Sequence, residues 1–336
     1  MLPALLCHKV CAFWGEMNGD ERTEMRIGDL PDHGGGIDAA ALQYGGKRAG
    51  WLDLSTGINP CPYPIPPLPA DAWTALPDAA AFAALEQAAR LFWNVPDDAA
   101  VLAAPGASAL IARIPNLMPA GDITIKGPTY NEHARSFAAH GWRVTDSADA
   151  CVIVHPNNPD GRLHPASSHA FRIIDESFCD ITPEASHIAQ ATRPRTLILK
   201  SFGKFWGLAG ARLGFAIGDP ALIASLAAML GPWAVSGPAI AIGTAALNDR
   251  SWANTTRARL ADDASRLDAM MTRAGASVTG GTSLFRLFDV PDAALWQTRL
   301  AHHHIWTRVF PYSTRWLRLG LPGDAQGWDR LERALQ

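Results

Sequence analysis

The chain has 336 residues, 48% of them hydrophobic and 18% charged, with a formal net charge of -3. That is ordinary for a globular protein large enough for one big core and a smaller lobe. The 29 lysines and arginines are scattered, which argues against nucleic acid as a partner, and no apolar run reaches the roughly 18 residues of a membrane-spanning helix.

Residues 1–24 hold only a short apolar patch broken by His8 and Lys9. That is too short for a secretory signal, so a disordered N-terminal extension is expected. The five cysteines (7, 11, 61, 151 and 179) form no Cys-x-x-Cys pair and read as reduced thiols in a cytoplasmic protein. Cys7 and Cys11 lack the second pair that a metal site needs, and none is expected.

His33, Gly34, Gly35 and Gly36 suit either a loop over a ligand or a linker, and a helical stretch follows to Tyr44. Residues 51–60 alternate like a strand entering a turn. The proline-rich residues 60–69 are expected to cross, extended, between lobes. A helix is predicted over 79–93, with Phe82, Leu85, Ala89 and Phe92 on one face. A strand at 101–103 then leads into Gly106, Ala107 and Ser108. Strand, small-residue turn and helix expose free N–H groups to an anion, although an ordinary turn has the same pattern. After a strand at 122–125, Tyr130 taken alone reads as a packing residue.

The strand at 151–154 runs into the turn-forming residues 155–161. The apolar strand 171–178 ends in acids, Asp175 and Glu176, and the C-terminal ends of parallel strands are where such sheets bind ligands. Residues 201–215 place Lys204 in a glycine-rich, aromatic loop, three residues after Ser201 and eight before Arg212. A desolvated lysine has a lowered pKa and attacks carbonyls as a neutral amine. A nearby hydroxyl and guanidinium suit a phosphate. The competing reading is a turn with an incidental lysine.

Helices are predicted at 220–230, 237–247 and 250–273, and short strands at 277–280, 284–288, 305–309 and 316–319. His302, His303 and His304 read as a polar helix end, because three consecutive side chains converge poorly on one ion. Arg308 and Arg318 are candidate anion binders.

Residues 201–215 resemble the Schiff-base lysine motif, Ser-x-x-Lys with Arg eight residues on, of the aspartate-aminotransferase-like (fold type I) enzymes that use pyridoxal 5'-phosphate (PLP). Four further stretches, at 105–108, 130, 155–161 and 175–178, resemble that family's motifs in the family's order. The resemblance implies an α/β fold, with a large domain of mainly parallel sheet flanked by helices and a smaller α+β C-terminal domain. The implied boundaries are an arm and small-domain segment at 25–76, the large domain at 77–249 and the small domain at 250–336. It implies phosphate contacts from Gly106, Ala107, Ser108, Ser201 and Arg212. It places Tyr130 on the ring, Asn158 on the phenolic oxygen, Asp175 on the pyridine nitrogen and Lys204 as the catalytic amine, with Arg318 on the substrate carboxylate. Two positions depart from the pattern: His155 replaces the motif's first asparagine, and Phe178 replaces a tyrosine, removing one hydrogen bond to the cofactor. The chain also reads as short between Tyr130 and Asn158, as if a helix or strand were missing.

His33-Gly34-Gly35, Tyr44-Gly45 and the run from Asp53 to Pro60 are similar to the N-terminal signature of the threonine-phosphate decarboxylases of cobalamin synthesis. That resemblance spans roughly residues 30–330. It implies decarboxylation of a small phosphorylated amino acid, L-threonine O-3-phosphate, to (R)-1-amino-2-propanol O-2-phosphate. His33, Asn59 and Arg308 are then candidates for the substrate phosphate. It further implies a homodimer with sites at the interface, Tyr63 reaching the cofactor phosphate in trans, and docking to a cobalamin-synthesis enzyme. The alternatives are a histidinol-phosphate-type aminotransferase and a non-catalytic aminotransferase-like subunit.

Overall fold

The computed structural model describes residues 33–336; the extension expected over 1–24 and the start of the arm lie outside the described residues. After α1 (Ile37–Tyr44), β1 (Leu52–Asp53) and α2 (Asp71–Thr74) comes α3 (Ala79–Trp93). Asp78 caps α3 by accepting from the N–H groups of Ala80 and Ala81, and Asn94 ends it in the left-handed conformation.

Next come β2 (Ala100–Ala104), α4 (Ala107–Ile111), β3 (Asp122–Ile125), α5 (Asn131–Ala139), β4 (Arg143–Thr145), β5 (Ala150–Val154), β6 (Phe171–Asp175), β7 (Thr196–Ser201) and β8 (Gly214–Gly218). The strands build one seven-stranded sheet in the order β2-β8-β7-β6-β5-β3-β4. From β7 through β4 the neighbours are parallel; β8 runs antiparallel to both β7 and β2. Strands buried on both faces carry continuous rather than alternating apolar runs, as β8 does, while β6 is buried throughout although Arg172 interrupts its apolar run.

The helices α6 (Pro220–Leu230), α7 (Gly237–Asn248) and α8 (Arg250–Arg273) lead to the small sheet. Along α8, buried Ala253, Thr256, Leu260, Ala264 and Leu267 recur every three or four residues, which forms its core-facing stripe. Then follow β9 (Ser277–Thr282), β10 (Phe285–Asp289), α9 (Ala293–His302), β11 (Ile305–Trp306), β12 (Arg308–Phe310), β13 (Ser313–Gly320) and α10 (Ala325–Leu335). The small sheet has the order β12-β13-β10-β9, and β1 pairs in parallel with β11. One core cluster packs α4, α5 and α6 on one face of the large sheet through Leu110, Phe137 and Leu226; another joins α3, α7, α8 and the small sheet.

Two expectations change. The strand expected over 171–178 stops at Asp175, because its Oδ1 accepts from Ser177 N–H and turns the chain. The single strand expected over 305–309 divides at Thr307, since β11 pairs with β1 and β12 with β13. Between Tyr130 and Asn158 lie α5, β4 and β5, and the connection over 155–170 joins parallel β5 and β6 without a helix. Such crossovers usually contain one. Here buried Arg172 clamps the connection, bonding the carbonyl of His169 and, at 2.8 Å, that of Pro194.

Candidate active site

The large sheet delivers its chemistry at one edge. Asp175 ends β6, Val154 ends β5, Ser201 ends β7 and Ala104 ends β2. These are C-terminal strand ends, where the chain leaves the sheet and backbone groups are free to meet a ligand. The cavity there is lined by Ala107, Ser108, Tyr130, Asn158, Asp175, Ser177, Phe178, Ser201, Lys204 and Arg212.

Lys204 lies in the loop from β7 to β8, and that loop is clamped from outside. Asn59 N–H donates to the carbonyl of Lys204 (3.0 Å), Asn59 Nδ2 to that of Phe205 (2.9 Å), and Tyr63 N–H to that of Trp206 (2.9 Å). Burial, followed by Arg318, pulls the Lys204 amine down to about 8, with Asp175 opposing. Its Nζ sits 5.3 Å from the ring centre of Phe178. Phe178 in turn packs edge-on to Phe285, over whose ring Arg318 lies. The phenylalanine expected only to remove a hydrogen bond is therefore the apolar floor beneath the lysine.

Asp175 is 2% exposed and held from both sides. Oδ2 meets His133 Nε2 at 2.8 Å, and Oδ1 accepts from Ser177 N–H at 3.0 Å and Ser177 Oγ at 2.5 Å. Burial pushes this carboxyl up, but the His133 and Ser177 bonds outweigh it and hold it below the usual range. Tyr130 lies edge-on to His133 at 6.0 Å. Burial, then Asp175 and Glu132, push its phenol up to about 12, so it stays protonated.

The phosphate end is built from close approaches. A Cβ on Gly106 would lie 2.6 Å from Arg212 Nη2, and one on Gly214 would lie 2.4 Å from the nitrogen of Ala107. Only glycine lets these chains meet. Arg212 is itself left-handed, φ 51, a conformation that persists only where surroundings impose it. With Ser201, Ala107 and Ser108 around it, this donor set fits a phosphate. The whole arrangement fits PLP: an anion cup, a wall from Tyr130, an ionised carboxylate at depth and an amine opposite.

Arg318 bonds Asn158 Oδ1 and donates to the carbonyl of Ser55 at 2.6 Å. Arg308 stands directly opposite it in the β12–β13 register, and both carry charge to the cavity, Arg318 acting on Lys204 and Arg308 on Tyr130. Asn59 does not join them. It is buried, and its Oδ1 accepts from Cys61 N–H and Arg259 Nη2, so its amide is occupied in bracing the lysine loop rather than facing substrate. Tyr63 is buried edge-on against Trp206 and Trp252. His33, the first described residue, is half-buried.

The sequence reading missed His133 and Ser177. His133 follows Tyr130 by three positions at the start of α5, a spacing that places two side chains on one helix face. That was the available signal. Behind Asp175, Glu176 turns the other way: it bonds Lys200 Nζ at 2.6 Å, with Asp180 Oδ1 3.9 Å from the same nitrogen. Among the described residues, no group of three or more His, Cys, Asp or Glu is placed to hold a metal, and no helix is long and apolar enough to cross a membrane.

The family model for aminotransferase class I and II matches residues 152–335. The chain belongs to that family. It is 43% identical over 325 residues to a threonine-phosphate decarboxylase of a Sinorhizobium species, covering 90% of this chain and 97% of the relative. It is 39% identical over 326 residues to the threonine-phosphate decarboxylase of Pseudomonas aeruginosa, again covering 90% and 97%. Among solved structures, histidinol-phosphate aminotransferase from Sinorhizobium meliloti in complex with pyridoxal-5'-phosphate shares the fold, with a TM-score of 0.75 at 19% identity over 95% of this chain and 98% of that chain.

Proposed function

We propose that the protein is a PLP-dependent threonine-phosphate decarboxylase, converting L-threonine O-3-phosphate to (R)-1-amino-2-propanol O-2-phosphate for cobalamin synthesis. The carrying observation is the pair of arginines, 308 and 318, opposite one another on neighbouring strands, with Arg318 acting on Lys204 and Arg308 on Tyr130. Two guanidiniums at one side of the cavity suit a substrate that carries both a carboxylate and a phosphate. The two relatives named above carry the same activity in their names.

PLP, when bound, supplies an aldehyde for amines and a ring that accepts the electrons of the broken bond. Ser201, Arg212 and the 106–108 turn would hold its phosphate, Tyr130 its ring, Asn158 its phenolic oxygen and Asp175 its protonated nitrogen. Arg318 would hold the substrate carboxylate and Arg308 the substrate phosphate, and together they would fix the pose that favours loss of the carboxylate. A difference of about 1.4 kcal/mol between that pose and one presenting Cα–H is tenfold in rate, so these arginines select decarboxylation over transamination. Lys204 Nζ then returns a proton to Cα.

The same reading makes the protein a cytoplasmic homodimer, with lobe boundaries near residues 77 and 250. Exposed Ile65, Trp73, Leu76 and Trp233 line one apolar groove with Gly207, Leu208 and Gly210, so the lysine loop separates that groove from the site. A second subunit on this face supports the loop, and docking to a cobalamin-synthesis enzyme would use other surfaces. The deciding experiment incubates PLP-loaded protein with L-threonine O-3-phosphate alone. Carbon dioxide release without a keto acid, abolished by Lys204→Ala, is expected; conversion only with histidinol phosphate or glutamate and a keto acid would make it an aminotransferase.

A further inference from the structure

We propose that Ser177 is a positioning residue for the cofactor ring: by occupying Oδ1 of Asp175 it leaves Oδ2 as the oxygen presented to the ring nitrogen. The inference rests on the PLP reading above. An ionised carboxylate offers about four lone-pair sites, two on each oxygen. In Asp175, Oδ1 accepts from both the N–H and the hydroxyl of Ser177, and Oδ2 meets His133. One site remains, and it is on Oδ2.

That selection needs the hydroxyl. The terminal torsion of an aspartate is broad and roughly two-fold, so nothing intrinsic keeps either oxygen in place. His133 grips only Oδ2. The hydroxyl bond, at 2.5 Å, is the shorter of the two from Ser177. Ser177 also lines the cavity beside Asp175, so its side chain stands where water would otherwise reach Oδ1. Both Ser177 bonds further help to keep the carboxyl ionised against its burial. An alanine at 177 would retain the backbone bond alone, free one lone pair on Oδ1 and allow the carboxylate to turn.

The test compares wild-type protein with Ser177→Ala, Ser177→Thr and Ser177→Cys. Apo-protein is titrated with PLP by tryptophan fluorescence, and 15N-labelled PLP reports the protonation of its ring nitrogen by NMR as pH is raised. Ser177→Ala is expected to weaken PLP binding about tenfold, the low end for a hydrogen bond to a charged acceptor. It should also let the ring nitrogen lose its proton at lower pH than in wild type, and lower kcat while KM for the substrate stays unchanged. Threonine keeps the hydroxyl and restores all three. Cysteine, similar in size but a weak donor, gives the alanine result if alanine itself fails to fold. PLP affinity within twofold of wild type and an unchanged nitrogen titration in both the alanine and cysteine variants would overturn the inference. Failure of wild-type protein to bind PLP would overturn the cofactor reading, and this inference with it; that outcome is recognisable because it does not depend on residue 177.

Discussion

Lys204 is an amine held where its charge is disfavoured. Burial and the Arg318 guanidinium lower its proton affinity to about 8, so at neutral pH a useful fraction is already the neutral nucleophile. The rate at which apo-protein takes up PLP should rise about tenfold per pH unit below that value and level off above it, because only the neutral amine adds to the aldehyde. Stopped-flow absorbance checks this, and a flat profile would show that Lys204 is not the group adding. Asn59 is the contrasting residue. Its amide is spent on Phe205, Cys61 and Arg259, so Asn59→Ala should cost about 1–3 kcal/mol of stability in urea unfolding and leave the KM for phosphorylated substrate unchanged.

At the scale of elements, the end of β6 points two carboxylates in different directions. Asp175 faces the site, while Glu176 is buried against Lys200, which pulls it below its usual range despite burial. Removing one partner of a buried pair strands the other, typically at a cost of about 3–5 kcal/mol. Glu176→Gln should therefore destabilise the fold by about that amount, read from the urea midpoint. The helix-free crossover after β5 adds a pH dependence. His155 is buried, its Nδ1 accepts from His164 N–H, and its Nε2 meets the carbonyl of Ala185. Burial lowers its pKa, His187 and Lys200 lower it further, and the Ala185 carbonyl and Glu176 oppose. Burial, then Arg162 and His155, lower the pKa of His164 as well, with Lys126 adding to them and Asp160 opposing. A group that is harder to protonate when folded takes up more protons in the unfolded chain, so stability should fall as pH drops below the unfolded histidine value of roughly 6.5. Thermal unfolding across that range checks this, and His155→Asn should reduce the slope.

At the scale of the molecule, two devices connect the lobes. Gly281 N–H bonds the carbonyl of Asp160 at 2.7 Å, and a Cβ on Gly161 would lie 1.9 Å from the carbonyl oxygen of Gly281. The loop over 155–161 and β9 are thereby locked at a backbone contact, and β10 positions β13 with its Arg318. The apolar groove around Trp73 and Trp233 lies against the lysine loop. A contiguous exposed apolar face of this kind marks an interaction surface. Trp73→Glu should halve the mass seen by light scattering if that face joins two subunits; an unchanged mass would remove it from the interface.

The sequence by itself determined the class of chemistry and most elements. The lysine loop, the paired acids after an apolar run and the small-residue turn each carry local signals, since motif spacing and period-matched apolar patterns need no knowledge of the fold. Tertiary structure alone decided which polar residues converge. By sequence Asn59 is expected at the substrate phosphate and His133 is not singled out, yet one braces the lysine loop and the other holds Asp175 from a different element. Phe178 became the floor beneath Lys204 only when the small sheet brought Phe285 against it. Hydrogen-bond partners distant along the chain are set by the packing of elements, and no local pattern encodes which donor will reach which acceptor.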